Sequence, residues 1–368
     1  MNPKSVSFKK PLIAISISGV IFILFALARN WRAGMDFFTQ YLTRPYKRAM
    51  MQVCKFLPFS VAELVWAVLV LCCLFYVLRT VRLLVQKKGV RLLVLCQRLL
   101  GGAAIALCIY CAYTVLWGAN YYATPFETKA NITAHAISVQ QLTDTTMLFA
   151  EKVNAAAGSV KRDANGVFAE DRKTIFAQSA ILYTPLEEIY PFLKAPPVAA
   201  KPMLFSRLMS EINYTGFYFP FTGEANVNAQ EPVCFLPSTI AHELAHVRDI
   251  APEQTANFMA ILACEASEID AYTYSGALLG YLHLSNALYG ADRDAWRTVA
   301  STLCKEADAD LNDNNAYWKQ FETPAAKAVN KVYDGFLKSY HQPLGLKSYG
   351  AVVDLLVAYY APQASDNG

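Results

Sequence analysis

Apolar positions are spread unevenly along the chain. Three nearly unbroken apolar runs, at residues 11–28, 61–78 and 99–117, dominate the first third. Each is close to the ~20 residues that a helix needs to cross hydrocarbon. They predict three membrane-spanning helices. Glu63 near the start of the second run fits an interfacial position. Ala26, Leu27 and Ala28 have the small-x-small look of a cleavage site. The run is long for a signal peptide and two more follow, so an uncleaved helix is expected. Gly101 and Gly102 permit close helix packing, and Trp117, Tyr121 and Tyr122 mark the far interface.

Beyond residue 133 the pattern turns helical and amphipathic. Ser138 and Gln141 have capping-box spacing ahead of Leu142, Met147, Leu148, Ala150 and Val153. Helices are also predicted over 168–182 and 202–212. At Asn213 the character changes. Residues 214–221 are rich in aromatics and Thr, and 225–228 alternate apolar with polar. They read as two short strands joined at Thr222-Gly223-Glu224. Residues 239–249 return to a helical period, capped by Ser238 or Thr239. Pro252 and Glu253 then restart a helix. Further helices are expected over 271–288, 292–305, 308–321, 324–340 and 348–360.

Composition agrees with a membrane protein. Hydrophobic residues make up 55% and charged residues only 17%, which is low for a soluble chain. The net charge of +4 is concentrated around the apolar runs. It therefore points to topology and not to nucleic acid, and neither a phosphate loop nor a zinc-finger spacing is present. Three Lys/Arg precede the first run and six lie in the expected loop 79–98, against six in the expected connecting loop 29–58. By the positive-inside rule the N-terminus is cytoplasmic and everything after the third span is outside. Of nine cysteines only Cys234, Cys264 and Cys304 fall in the large domain, so no disulfide framework is implied.

The candidate chemistry lies in residues 242–246, which read His-Glu-x-x-His. On a helix, positions i and i+4 share a face, so His242 and His246 can reach one zinc ion. Glu243 stands beside them as a base for an attacking water. A catalytic zinc normally has three protein ligands. Glu265, with eighteen residues between it and His246, has the spacing of one group of gluzincins, and Glu253 is the alternative. Strand-like sequence before such a helix suits a zincin, in which an edge strand holds an extended peptide. Glu224, Asn226 and Asn228 are then candidates to line the substrate. Tyr272, Tyr274 and His283 are candidates to stabilise an oxyanion.

Several stretches carry a wider resemblance. They include Trp117-Gly118-Ala119-Asn120-Tyr121-Tyr122, residues 216–228, and Leu236-Pro237 through His246. Ala256-Asn257-Phe258, Leu262-Ala263-Cys264, Tyr274-Ser275-Gly276 and residues 345–360 add to it. Together they resemble a bacterial domain-of-unknown-function family of membrane proteins with three N-terminal spans and a zincin-like domain. Two positions depart from that family. Asp249 stands where a glycine is usual, and Thr255 where a glutamate is usual. The resemblance makes that glutamate the natural third ligand, which leaves Glu265, Glu253 or no protein group in this chain.

The expected fold is mainly α. Residues 1–122 hold three transmembrane helices, and residues 123–368 form an extracytoplasmic, α-rich zincin-like domain with a small β-sheet. The expected protein is a multi-pass component of a bacterial cytoplasmic membrane. It would be a zinc metallopeptidase acting on peptide or protein substrates. The alternative is a catalytically silent zincin-like scaffold that binds an envelope partner. A transporter is disfavoured because the spans lack intramembrane charges.

Overall fold

The computed structural model describes residues 6–133, 136–339 and 349–366. Residues 340–348, where two of the predicted helices end and begin, lie outside the described residues. The chain divides into two compact units. One takes the chain up to Lys47 together with Val61–Ala123; the other takes Arg48–Ser60 and the chain from Thr124 onward.

The first unit is built on three long apolar helices: α1 (Lys9–Ala28), α4 (Val61–Gln86) and α5 (Arg91–Leu116). All three are long and apolar enough to cross a membrane. Between α1 and α4 the chain is itself helical. It forms α2 (Arg32–Phe38), a π-helical stretch Thr39–Thr43, and α3 (Arg44–Cys54). The basic stretch 79–98, expected as a loop, is also mostly helix. Straight-chain Arg and Leu are good helix formers, and only the few residues between α4 and α5 interrupt them. Arg98 lies over the Tyr76 ring at 3.6 Å and donates from Nε to Thr80 Oγ1 at 2.9 Å. That side chain ties α5 to α4. A Cβ on Gly101 would come within 2.8 Å of the Tyr76 hydroxyl, so glycine is what lets this contact form.

The second unit is mainly helical with one small sheet. Its helices are α6 (Phe126–Lys129), α7 (Val139–Ala157), α8 (Arg172–Gln178), α9 (Thr184–Ile189), α10 (Ser206–Glu211), α11 (Leu236–Val247) and α12 (Glu253–Ala266). Then come α13 (Asp270–Ala291), α14 (Arg293–Ala300), α15 (Lys305–Lys319), α16 (Pro324–Ser339) and α17 (Tyr349–Asp366). The expected capping box opens α7: Ser138 Oγ accepts from Gln141 N–H, and the Gln141 side chain reaches back to Ser138 N–H. Helices α7, α12, α13 and α17 pack around a core that includes Phe149, Phe258, Tyr272 and Tyr360.

Strands β1 (Lys201–Pro202), β2 (Gly216–Phe219) and β3 (Glu224–Val227) form a sheet in the order β1-β3-β2. β2 and β3 are the expected hairpin, with Phe217 opposite Asn226. β1 pairs parallel to β3 with Lys201 opposite Asn226; two residues give no sequence signal for it. The segment 48–60 is fastened to this unit. Ser60 Oγ donates to Asn226 Oδ1 at 2.6 Å, and Lys201 Nζ donates to the carbonyls of Cys54 (3.3 Å) and Leu57. Two helices long and apolar enough to cross a membrane, α4 and α5, separate Ser60 from Thr124 along the chain.

A buried cluster secures the far side of the unit. Asp310 is fully buried and receives Arg162 Nη1 at 3.0 Å, Phe168 N–H at 2.6 Å and the Tyr274 hydroxyl. Tyr272 donates to the Ile175 carbonyl at 2.8 Å. Both tyrosines are thus engaged in the core rather than at an oxyanion site.

Candidate metal centre

The site is built where α11 ends and α12 begins. α11 starts at Leu236, with Phe235 as its N-cap and Pro237 in its first turn. Ser238 and Thr239, expected as caps, lie inside the helix instead. Proline is well suited to a first turn because its missing N–H has no intrahelical partner there. His242, Glu243 and His246 follow on the buried side.

How α11 stops decides which carboxylate reaches the histidines. Arg248 is the C-cap and Asp249 adopts φ +68°. Ile250 N–H bonds to the Ala245 carbonyl at 3.3 Å and Asp249 N–H to the His246 carbonyl at 3.0 Å. That pair of bonds is a Schellman turn, which needs one left-handed residue. Glycine would meet that need without strain, and aspartate tolerates it better than most residues. The chain reverses at once, Pro252 caps α12, and Glu253 is its first residue.

Glu253 therefore arrives beside the histidines. Its Oε2 lies 3.1 Å from His242 Nε2 and 3.7 Å from His246 Nε2. One donor atom from each of the three residues falls within 4.8 Å of the others. The opposite ring nitrogens are also occupied. His246 Nδ1 lies 2.6 Å from the Ile250 carbonyl, which the Schellman turn presents to it, and His242 Nδ1 lies 2.8 Å from Asn257 Oδ1. A carbonyl only accepts, so His246 Nδ1 carries the proton and its Nε2 offers a lone pair when the ring is neutral. Asn257 stands one turn after Glu253 on α12, so one helix face supplies both groups. Glu253 Oε1 accepts from the Tyr333 hydroxyl at 3.0 Å, and the Tyr333 ring packs edge-on against Tyr214 at 5.6 Å.

Charges in the cluster perturb one another. Burial raises the Glu253 pKa, but His246 and His242 outweigh it by charge and hydrogen bonding and hold the carboxyl well below its usual range. Burial pushes Glu243 up to about 8; His242 opposes the shift and Glu253 adds to it. Burial, helped by Glu253 and Glu243, pushes Tyr214 up to about 12. His283 is buried and lowered to about 4, by desolvation and then by His242. Glu243 is 4% exposed, and its Oε2 has no hydrogen-bond partner. A Cβ on Gly216 would meet Glu243 Oε1 at 2.7 Å and Cγ at 2.8 Å. Glycine at the head of β2 is thus what admits the carboxylate beside the strand.

Glu265 does not join the cluster. It lies twelve residues beyond Glu253 on the same helix, or ~18 Å along the axis. Its carboxylate pairs with Lys152 and accepts from the Tyr360 hydroxyl. The tight turn is the reason: it brings the start of α12, and not its end, to the histidines. Thr255 is buried and donates to Glu127 Oε2 at 3.4 Å. The three substrate candidates are also placed otherwise. Glu224, Asn226 and Asn228 are buried on or next to the central strand β3. Glu224 Oε2 accepts from Thr222 Oγ1 (2.8 Å), Asn226 Nδ2 donates to the Glu224 carbonyl (3.0 Å), and Asn228 Nδ2 donates to Ser210 Oγ (2.9 Å). They hold the hairpin together. Glu253 had a faint sequence signal as the acid of a Pro-Glu helix start; Asn257 and Tyr333 had none.

Fold and site together define a mainly helical protein with three apolar helices able to span a membrane and a His-His-Glu cluster in its second unit. Residues 38–357 match the family described as "Protein of unknown function (DUF3810)", and the chain belongs to that family. No curated protein matches the chain. Nor does any solved structure.

Proposed function

We propose that this chain is a membrane-anchored, zinc-dependent metallopeptidase that cleaves peptide bonds outside the cytoplasm of a bacterium. The supporting observation is the convergence of His242 Nε2, His246 Nε2 and Glu253 Oε2, with both Nδ1 atoms turned to oxygen acceptors. Two imidazole nitrogens and one carboxylate oxygen are a donor set that suits zinc and leaves a fourth position open. Acceptors held on the far ring nitrogens fix the tautomer a metal requires. When bound, zinc would supply Lewis acidity and lower the pKa of a water.

The remaining steps fall to the chain's own groups. Glu243 would take a proton from the attacking water and pass it to the leaving amine. β2 pairs with β3 on one edge, and its other edge meets no strand among the described residues. An extended peptide can add to that edge by backbone hydrogen bonds. Gly216 brings the head of the strand against Glu243. Tyr333 holds Glu253 Oε1, leaving Oε2 for the ion. The basic residues around the apolar runs support an orientation with this unit outside.

The test is metal content and cleavage in the purified full chain. Wild type should hold one zinc and cut a peptide library. His246→Ala should lose the metal, and Glu243→Gln should keep it while losing cleavage. Equal, substoichiometric zinc in wild type and His246→Ala would end the proposal.

A further inference from the structure

Several of the large apolar side chains exposed on the second unit fall in two segments. Val53, Phe56 and Phe59 belong to the 48–60 segment, and Leu204 and Leu208 flank and enter α10; Phe56 and Leu204 are each 79% exposed. Single exposed apolar residues are ordinary on protein surfaces, but a cluster of this kind marks a contact. The two segments are also joined. Lys201, three residues before Leu204, donates to the carbonyls of Cys54 and Leu57, and Ser60 bonds to Asn226 opposite Lys201 in the sheet.

Chain continuity identifies the occupant. Ser60 is followed directly by Val61, the first residue of an apolar helix long enough to cross a membrane. Even fully extended, the four residues from Phe56 to Ser60 span no more than ~14 Å. Phe56 is therefore tethered to the bilayer surface at which that helix begins, and the α10 corner is fastened to the same segment. Lys55 stacks over the Phe56 ring at 5.2 Å, which puts a cation beside the apolar cluster, where anionic headgroups would meet it.

We propose that Phe56, Phe59, Leu204 and Leu208 form a lipid-docking rim that dips into the interfacial zone of the bilayer. Aromatic and aliphatic side chains partition there, and basic ones reach the phosphates. The rim is fastened to β3, and the neighbouring strand β2 begins against Glu243. The rim thus adjoins the same sheet as the candidate metal centre, whether or not that centre is catalytic.

Photo-crosslinking of the full chain tests this. The protein is reconstituted into mixed phosphatidylethanolamine and phosphatidylglycerol vesicles with a benzophenone amino acid at position 56, 204, 208 or 332. Val332 is 75% exposed and lies on α16, so it serves as the surface control. Irradiation followed by mass spectrometry should find phospholipid adducts at 56, 204 and 208, severalfold above position 332. Adducts at 204 and 208 no more frequent than at 332 would overturn the proposal. So would protein–protein cross-links there in place of lipid, which would assign the surface to a second copy. Each variant replaces an exposed side chain, and an unchanged melting temperature excludes a folding artefact.

Discussion

Replacing Glu253 tests the metal centre at its least expected member. Glu253→Gln keeps the size of the side chain and removes the single negative charge among the three donors. The surroundings set the scale. Asn257 holds His242 through one 2.8 Å contact, and loss of such an outer partner typically costs about 10–100-fold in metal affinity, or ~1.4–2.8 kcal/mol. Glu253 faces both Nε2 atoms itself, so Glu253→Gln should cost more than Asn257→Ala. Glu265→Gln is the internal control, because Glu265 bonds to Lys152 and Tyr360; its affinity for zinc should be unchanged. The assay is competition with a chromophoric chelator on the detergent-solubilised full chain, with metal stoichiometry measured in parallel. Loss of zinc in Glu265→Gln with retention in Glu253→Gln would refute the argument outright. Equal affinities for all variants would show that the cluster does not bind the metal.

Three further outcomes follow from the packing. Gly216→Ala should keep zinc but lose most cleavage, since its Cβ would sit 2.7–3.0 Å from the Glu243 carboxyl group and displacement of a catalytic group by ~1 Å can cost ~100-fold; full activity would show that Glu243 has room to move. Asp310→Ala strands the half-buried Arg162 and frees Tyr274 and Phe168, so it should destabilise the unit by about 3 kcal/mol, measured as a lower unfolding midpoint. Burial pushes Glu231 well above the ordinary carboxylate range, so its stability contribution is present below ~pH 4 and falls as pH rises through the folded pKa. Glu231→Gln should remove that slope, and its melting temperature should fall less than wild type between mildly acidic and neutral pH; parallel curves would contradict the assignment.

The sequence carried the periodic features well. The three apolar runs, the Ser138 capping box, the hairpin around Thr222 and the helix of His242 and His246 all depend on local residue order, and all appear in the fold. The third member of the cluster did not depend on local order alone. Whether Glu253 or Glu265 reaches the histidines is decided by how sharply the chain turns after Val247, and Asp249 hid a left-handed turn that a glycine would have announced. The substrate candidates are engaged within the sheet for a related reason. Glu224, Asn226 and Asn228 fitted the lining of a substrate strand, but β1 makes β3 central, and two-residue strands leave no pattern. Tyr333 comes from eighty residues downstream of Glu253, a distance across which periodicity carries no information. The basic stretch 79–98 misled because charge was read as loop, although arginine continues a helix readily.

The attachment of residues 48–60 to the second unit has a practical consequence. Cutting the chain after its last span, the usual way to obtain a soluble fragment, would discard Ser60 and the Cys54 and Leu57 carbonyls. Asn226 and Lys201 would then face solvent or aggregate. The second unit is stitched from two pieces of chain separated by two helices long and apolar enough to cross a membrane. It can reach its final form only after both of those helices have been made, so a chain stalled between them would leave this unit unfinished.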